Sequence, residues 1–98
     1  MSREELISAN DFCTHHRIEI SFLQSLNEFG LIELDEEEND LFLHSAELDA
    51  IERMMRLHYD LAVNFEGIDV IKNLLNQMER MNEEVVQLKN KLRFYEAD

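Results

Sequence analysis

The sequence predicts an all-α protein that carries one small β-hairpin and ends in a long helix. Its 98 residues contain no proline and only two glycines, and they are rich in Leu, Glu, Met and Ile, which suit helices. Apolar residues recur at three- and four-residue steps along most of the chain, as on one face of a helix. The exception is FGLIELDEEENDLFLH, from Phe29 to His44, where two short apolar strands flank an acidic loop.

Two short helices are expected before that segment. Ser8, with Asp11 three residues on, fits a capping box, so the first helix should run from Ala9 to about Thr14 and bury Phe12 and Cys13. A turn through residues 15–17 leads to a second helix over 19–29. Its apolar side chains share one face: Ile18, Phe22, Leu23, Leu26 and Phe29. Gly30 follows at the position where glycine commonly ends a helix.

The hairpin is expected to pair Leu31-Ile32 with the run from Leu41 to Leu43. Its loop holds six carboxylates and no lysine or arginine: Glu33, Asp35, Glu36, Glu37, Glu38 and Asp40. Two short helices, a tight turn and a small hairpin make up a winged helix-turn-helix. We therefore call this hairpin, residues 31–44, the wing.

Ser45 is expected to cap a third helix, with Glu47 and Asp49 near the positive end of its dipole. That helix should continue through the apolar residues Leu48, Ile51, Met54, Met55, Leu57 and Leu61. The segment 63–67 interrupts it, and Asn64 is a good N-cap for the next helix.

The last helix has the clearest periodicity in the chain. Eight successive seam positions of a heptad repeat are apolar or aromatic: Ile71, Leu74, Met78, Met81, Val85, Leu88, Leu92 and Tyr95. We call these residues the seam. They predict a coiled coil between two copies of the chain. The orientation stays open, because a parallel pair would match Glu84 with Lys89 and Lys91 with Glu96, whereas an antiparallel pair centred near Gln87 or Leu88 would bring Glu84 near Lys91. The expected organisation is a winged helix-turn-helix-like domain over 1–66 and a dimerising helix over 67–98.

The charge is concentrated in the middle of the chain. Eleven acids and no base lie between Arg17 and Arg53, so this segment carries −11 of the net −13. Such a field repels phosphate and attracts basic surfaces. A solubilising face would be the simpler explanation, but a segment with eleven acids and no base favours a role in binding a basic partner. The candidate partner-binding residues are Glu28, Glu33, Asp35, Glu36, Glu37, Glu38, Asp40, Glu47, Asp49 and Glu52.

The order of these elements resembles the MerR-type transcription regulators and, within that class, the CbpM-type chaperone modulators. The matching pieces are Phe12-Cys13, FGLIE from Phe29, RLHYDLAVNFEGIDVI from Arg56 and LKNKLRF from Leu88. The resemblance implies a protein that binds the J domain of a DnaJ-like, CbpA-type co-chaperone and inhibits its co-chaperone and DNA-binding activities. J domains present a basic helix before a His-Pro-Asp loop, and an acidic surface would fit that helix.

A MerR-type DNA-binding transcriptional regulator is the alternative, and a dimerisation adaptor for some other basic protein is a third. The polar side of the second helix argues against DNA binding, because Ser21, Gln24, Ser25, Asn27 and Glu28 include no base, and phosphate contacts require Lys or Arg.

Other chemistries find little support in the sequence. Cys13, His15 and His16 are close in sequence, but a zinc site needs three or four convergent ligands, and Cys13 is expected to face the core. His44 and His58 are expected at the surface or at helix ends. No nucleophile, calcium-loop or phosphate-loop motif is present, so we expect neither an enzyme nor a cofactor. The lone cysteine and the lack of a signal or spanning segment predict a soluble cytoplasmic protein.

Overall fold

A computed structural model describes residues 5–96. The strands are β1 (Leu6–Ser8), β2 (Leu34–Glu37) and β3 (Asp40–His44). The helices are α1 (Ala9–His16), α2 (Ile20–Glu28), α3 (Leu48–Met55) and α4 (Phe65–Glu96). A 3-10 turn, Ser45–Glu47, precedes α3, and a π-helical turn, Arg56–Asp60, follows it.

The first two helices are confirmed, but α1 extends to His16, so His15 and His16 lie in the helix and not in the predicted turn. The Oγ of Ser8 accepts a 3.3 Å hydrogen bond from the backbone N–H of Asp11, as the capping pattern predicted. α1 ends at Arg17, which adopts the left-handed conformation with φ 58°. α2 is followed by Gly30 with φ 72°, a conformation that glycine adopts without steric cost.

The fold is mainly helical, but the all-α class is too narrow, because the described chain contains a three-stranded antiparallel sheet in the order β1-β3-β2. β1 was not predicted, since three residues are too few to show a period. The placement of the first hairpin strand at Leu31-Ile32 is wrong. Both residues are buried in the core just before the strand, and the acidic stretch from Leu34 to Glu37 forms the strand itself. Short apolar runs in strands and in buried turns look alike in a sequence, which explains the misplaced strand.

The core lies between α1, α2, α3, the first turn of α4 and the inner face of the sheet. Its buried residues are Ala9, Phe12, Cys13, Phe22, Leu23, Leu26, Leu31, Ile32, Leu43, Ile51, Met54 and Ile68. The predicted burial of Phe12 and Cys13 is therefore confirmed. Phe29, predicted on the apolar face of α2, is 39% exposed and stacks on Phe65 at the rim.

The third helix begins differently from the prediction. Ser45 does not cap it. Its Oγ accepts a 3.1 Å hydrogen bond from the N–H of Glu5, and its own N–H donates to the Glu5 carbonyl at 2.9 Å. These bonds extend the pairing of β1 with β3, and the 3-10 turn then leads into α3. Leu61 lies one residue past the π-helical turn and is 68% exposed, so it does not extend the apolar face of the helix.

α4 is anchored at its start and leaves the core along its length. The Oδ1 of Asn64 accepts a 2.8 Å hydrogen bond from the N–H of Gly67, which confirms Asn64 as the N-cap. The Nζ of Lys72 donates a 2.6 Å bond to the carbonyl of Leu31, at the base of the wing. From Leu74 onward every seam residue is at least 46% exposed. The described helices include none that is both long and apolar enough to cross a membrane.

Replacing Asn64 by Ala should lower the free energy of unfolding by about 1 kcal/mol, because the N–H of Gly67 loses its side-chain acceptor. Chemical denaturation followed by circular dichroism measures this change. Asn73→Ala is the control, since Asn73 is exposed in the middle of α4, where Ala is the better helix former. Equal losses in both variants would show that the cap does not stabilise the helix.

Candidate functional site

The wing is a tight hairpin whose tip is acidic. Glu37 pairs with Asp40, and the two residues between them, Glu38 and Asn39, have φ 49° and 68°. Two successive left-handed residues are typical of a type I′ turn, which matches the twist of the flanking strands. The short turn holds the carboxylates of its strands and tip close together on one small projection.

The two faces of the wing have different environments, because side chains alternate along a strand. Leu43 is fully buried, and Leu34 and Leu41 pack against the core beside it. The opposite, outer face carries Asp35 across from Phe42 and Glu37 across from Asp40. Glu36 shares the inner side but is exposed. The apolar inner face thus holds the acidic outer face toward solvent.

His44 is the positively chargeable residue beside the wing acids. Its Nε2 lies 3.2 Å from the Oδ1 of Asp35 and 3.8 Å from the Oε2 of Glu33. Between residues 5 and 96, these are the carboxylate–base pairs within 4.0 Å, and neither involves a lysine or arginine. Glu36, Glu37, Glu38 and Asp40 are exposed, so the tip of the wing projects negative charge into solvent.

The ten candidate partner-binding residues lie on several elements of the fold. Six of them lie on the wing. Glu47 lies at its base, where its Oε1 accepts a 3.1 Å bond from the N–H of Glu33, so its carboxylate has a structural role. Glu28 and Asp49 are exposed on α2 and α3, and Glu52 lines a separate groove together with Arg17 and Arg56. The strongest concentration of charge is therefore the wing.

The exposed side of α2 carries no base. Ser21, Gln24, Asn27 and Glu28 are exposed there, and Ser25 is half-buried. In a winged helix-turn-helix that binds DNA, the second helix and the wing contact the duplex, and their phosphate contacts come mainly from Lys and Arg. Both elements are present here, but neither carries those residues.

An aromatic cluster beside α2 was not predicted. The ring of His58 packs on Phe65, at a centroid distance of 4.8 Å, and on Phe22, at 5.2 Å, and these two phenylalanine rings are 5.9 Å apart. The Nδ1 of His58 is 3.0 Å from the carbonyl of Val63, which fixes the ring. Burial, and then the negative charge of Glu19, raise the pKa of Tyr59, which packs on Phe22. His58 was predicted at the surface or at a helix end. It lies in the π-helical turn after α3 and is half-buried, but its packing against Phe22 and Phe65 was not predicted.

The cysteine and histidines of α1 do not converge. Cys13 is buried, and burial raises the pKa of its thiol, which disfavours the thiolate that a zinc ion would need. The ring of His16 packs on Phe12, and His15 meets His16 edge-on. Within residues 5–96, no group of three or more His, Cys, Asp or Glu side chains is placed to hold a metal ion.

Replacing Glu38 by Asn should raise the free energy of unfolding by about 0.5–1 kcal/mol, because Asn tolerates the left-handed conformation that strains Glu. Glu37→Asn is the matched control, since it removes the same charge from a regular strand position. Thermal and urea denaturation of both variants separate the backbone effect from the charge effect. A gain as large for Glu37→Asn would assign the whole effect to charge repulsion.

Comparison with known proteins identifies the family. The model of a family described as MerR HTH family regulatory protein matches residues 7–90, which span the sheet, the first three helices and most of α4. A search of curated proteins and a search of solved structures each returned no match. The match covers most of the chain. The chain belongs to the MerR helix-turn-helix family of regulatory proteins.

Proposed function

We propose that this protein is a chaperone modulator of the CbpM type, which binds the J domain of a DnaJ-like, CbpA-type co-chaperone and inhibits its co-chaperone and DNA-binding activities. The observation that carries the proposal is the charge of the surface that a DNA-binding relative would use. The wing projects exposed carboxylates, and the exposed side of α2 has no base. A regulator with that surface is suited to a basic protein.

The DNA-binding alternative meets a specific electrostatic obstacle. Affinity for duplex DNA comes largely from the release of counterions when Lys and Arg neutralise phosphates. On this chain the corresponding surface would add negative charge to negative charge, and His44 already lies beside Asp35 and Glu33. Both the family and the fold are compatible with DNA binding, but the side chains are not.

A J domain supplies the complementary surface. Its basic helix, followed by the His-Pro-Asp loop, is the part that engages Hsp70, so a modulator seated on that helix would exclude Hsp70 from it. The wing suits such a target, because its type I′ turn makes the acidic tip narrow and its buried inner face keeps it rigid. Electrostatic complementarity of this kind speeds association and selects the partner.

The direct test measures stimulation of the Hsp70 ATPase by a J-domain co-chaperone while the modulator is titrated. Suppression at stoichiometric modulator is expected, whereas full stimulation at saturating modulator would reject the proposal. A gel shift with duplex DNA at low salt distinguishes the chaperone modulator from the DNA-binding regulator. Tight and saturable binding would favour the regulator.

Reversing two wing charges, Glu36→Lys with Glu37→Lys, should raise the Kd for the J domain about tenfold, with the larger loss at low salt. Isothermal titration calorimetry at two salt concentrations measures it. The matched control is Glu79→Lys with Glu83→Lys, which changes the net charge equally on exposed positions of α4. An equal loss in both variants would show that net charge, rather than the wing, governs binding.

We also propose that the protein acts as a homodimer formed along the α4 seam. The seam residues beyond Ile71 are exposed in the single chain, and their heptad spacing is that of a coiled coil. A stripe of this length is costly to leave in water, and a second copy offers the complementary stripe.

Two adjacent valines provide a matched test of the seam. Val85 and Val86 are 46% and 47% exposed, but only Val85 belongs to the seam. Val85→Glu should convert the dimer to a monomer, because it would bury a charge in the coiled coil, whereas Val86→Glu should leave the dimer intact. Size-exclusion chromatography with light scattering distinguishes them. Dimers in both variants, or a monomeric parent protein, would contradict the proposed interface.

A further inference from the structure

The groove lined by Glu52 contains two arginines and no residue of the wing. It lies between the turn that joins α1 to α2 and the end of α3 with its π-helical turn, and its volume is about 420 Å³. A cavity of this size is in the range of small-molecule sites. We call it the arginine groove, and its lining residues are His16, Arg17, Ile18, Glu52, Met55, Arg56, Tyr59 and Asp60.

Within residues 5–96, the two arginines of this groove have no acidic partner. Neither guanidinium donates a hydrogen bond to the described chain, and neither lies within 4.0 Å of a carboxylate oxygen there. The whole chain has 22 acids, and two of them, Glu52 and Asp60, line the same groove. A guanidinium is a planar donor that matches a carboxylate or phosphate group. The donors of Arg17 and Arg56 are therefore available to a ligand from outside the chain.

Arg17 is held in the groove by a strained backbone. It ends α1 in the left-handed conformation, with φ 58° and ψ 46°. The N–H of Ile18 donates a 3.0 Å hydrogen bond to the carbonyl of Cys13, which fixes this turn. Glycine or asparagine is usual at such a position, because other side chains are strained there. The presence of a long basic side chain where glycine would be more stable points to a role for its guanidinium.

The groove also offers apolar surface beside the arginines. Ile18 and Met55 are half-buried in its walls. The ring of Tyr59 packs on Phe22 at a centroid distance of 5.1 Å, which fixes its orientation, and the side chain is still 49% exposed. A ligand with an apolar body would be stabilised by covering these side chains.

The negative charge of the protein selects among anions. The net charge of −13 repels each additional negative charge on a ligand, and Glu52 and Asp60 do so at close range. A phosphate monoester carries about −1.5 to −2 at neutral pH, whereas a carboxylate carries a single charge. Rotation of Glu52 or Asp60 toward an arginine would create only an exposed ion pair, which contributes little and does not exclude a ligand. A monocarboxylate is therefore the anion that fits best.

We propose that the arginine groove binds a small organic acid with one carboxylate on an apolar body. The carboxylate lies between Arg17 and Arg56 and accepts hydrogen bonds from both guanidiniums. The apolar body packs against Ile18, Met55 and Tyr59. The bound acid thereby joins the turn between α1 and α2 to the end of α3. This site is independent of the target that the wing binds and of the oligomeric state.

Titration of the full chain with phenylacetate, a monocarboxylate with an aromatic body, tests the site. Saturable binding with a Kd of about 1 mM or below is expected from the size of this probe. In NMR spectra, the backbone amide signals of residues 16–18 and 55–60 should shift. Phenylacetamide has nearly the same shape without the charge and should bind at least about tenfold more weakly. Equal affinities for the two probes would show that the arginines do not recognise a carboxylate.

Charge-removing variants assign the binding to the two arginines. Arg17→Gln and Arg56→Gln should each raise the Kd for phenylacetate on the order of fivefold, because each removes a charged donor. The matched control is Arg53→Gln, which makes the same change of charge on α3 outside the groove and should leave the Kd unchanged. An equal change in the control would assign the effect to net charge and overturn the site.

A glycine variant separates the backbone strain from the binding. Arg17→Gly should raise the Tm by roughly 2–6 °C, because glycine adopts the left-handed conformation without strain. Its Kd for phenylacetate should rise as in Arg17→Gln. Since this variant is expected to be more stable than the parent protein, loss of binding would not reflect unfolding. Retained affinity would overturn the role of the guanidinium.

Three further results would contradict the proposed ligand. Tighter binding of phenyl phosphate than of phenylacetate would assign the groove to phosphate groups. Binding of a short peptide with a free carboxyl-terminal phenylalanine, about tenfold tighter than phenylacetate, would assign it to the end of a protein chain. The absence of saturable phenylacetate binding up to about 10 mM would reject the site itself.

Discussion

The burial of Leu43 in the central strand is the constraint on which the wing depends. β3 pairs with β1 on one side and β2 on the other, and Leu43 lies fully buried between Ile7 and Leu34. A slip of one residue would turn Leu43 toward water and bring Phe42 and its acidic neighbours inward. Leu43, with Leu34 and Leu41 packed beside it, therefore fixes the register, and the register determines which carboxylates face solvent.

The wing needs stabilising contacts, because its exposed carboxylates repel one another. Concentrated negative charge opposes the compact state. Four wing carboxylates at positions 36, 37, 38 and 40 are exposed, and within residues 5–96 none of them has a lysine or arginine within 4.0 Å. The stabilising contacts are placed around the charge. The Glu47 carboxylate holds the backbone of Glu33, Lys72 holds the carbonyl of Leu31, and apolar side chains fill the inner face. The tip of the wing is thus charged and exposed, while hydrogen bonds and apolar packing hold its base.

Local patterns in the sequence predicted the helices well and the sheet poorly. Ser8 and Asn64 specify their caps through bonds that span three residues, so both could be read from the chain. β1 could not be, because it exists through pairing with a strand more than thirty residues away. Ser45 was misassigned for the same reason, since its partner is Glu5. The acids of the wing were visible in the sequence. The position of Glu52 in a separate groove and the hydrogen bond between Glu47 and the N–H of Glu33 depend on tertiary contacts, so the sequence did not show them.

The hydrogen bond from Lys72 to Leu31 ties the root of the wing to the helix proposed to join two copies. This bond restrains the wing relative to α4, so a pair of chains joined along α4 would hold its two acidic tips at a defined distance. A target with two matching sites at that distance would bind both tips at once. Its residence time would far exceed that of a target bound at one tip. The distance between the two acidic tips would then contribute to specificity, and this distance is a property of the dimer and not of any single residue.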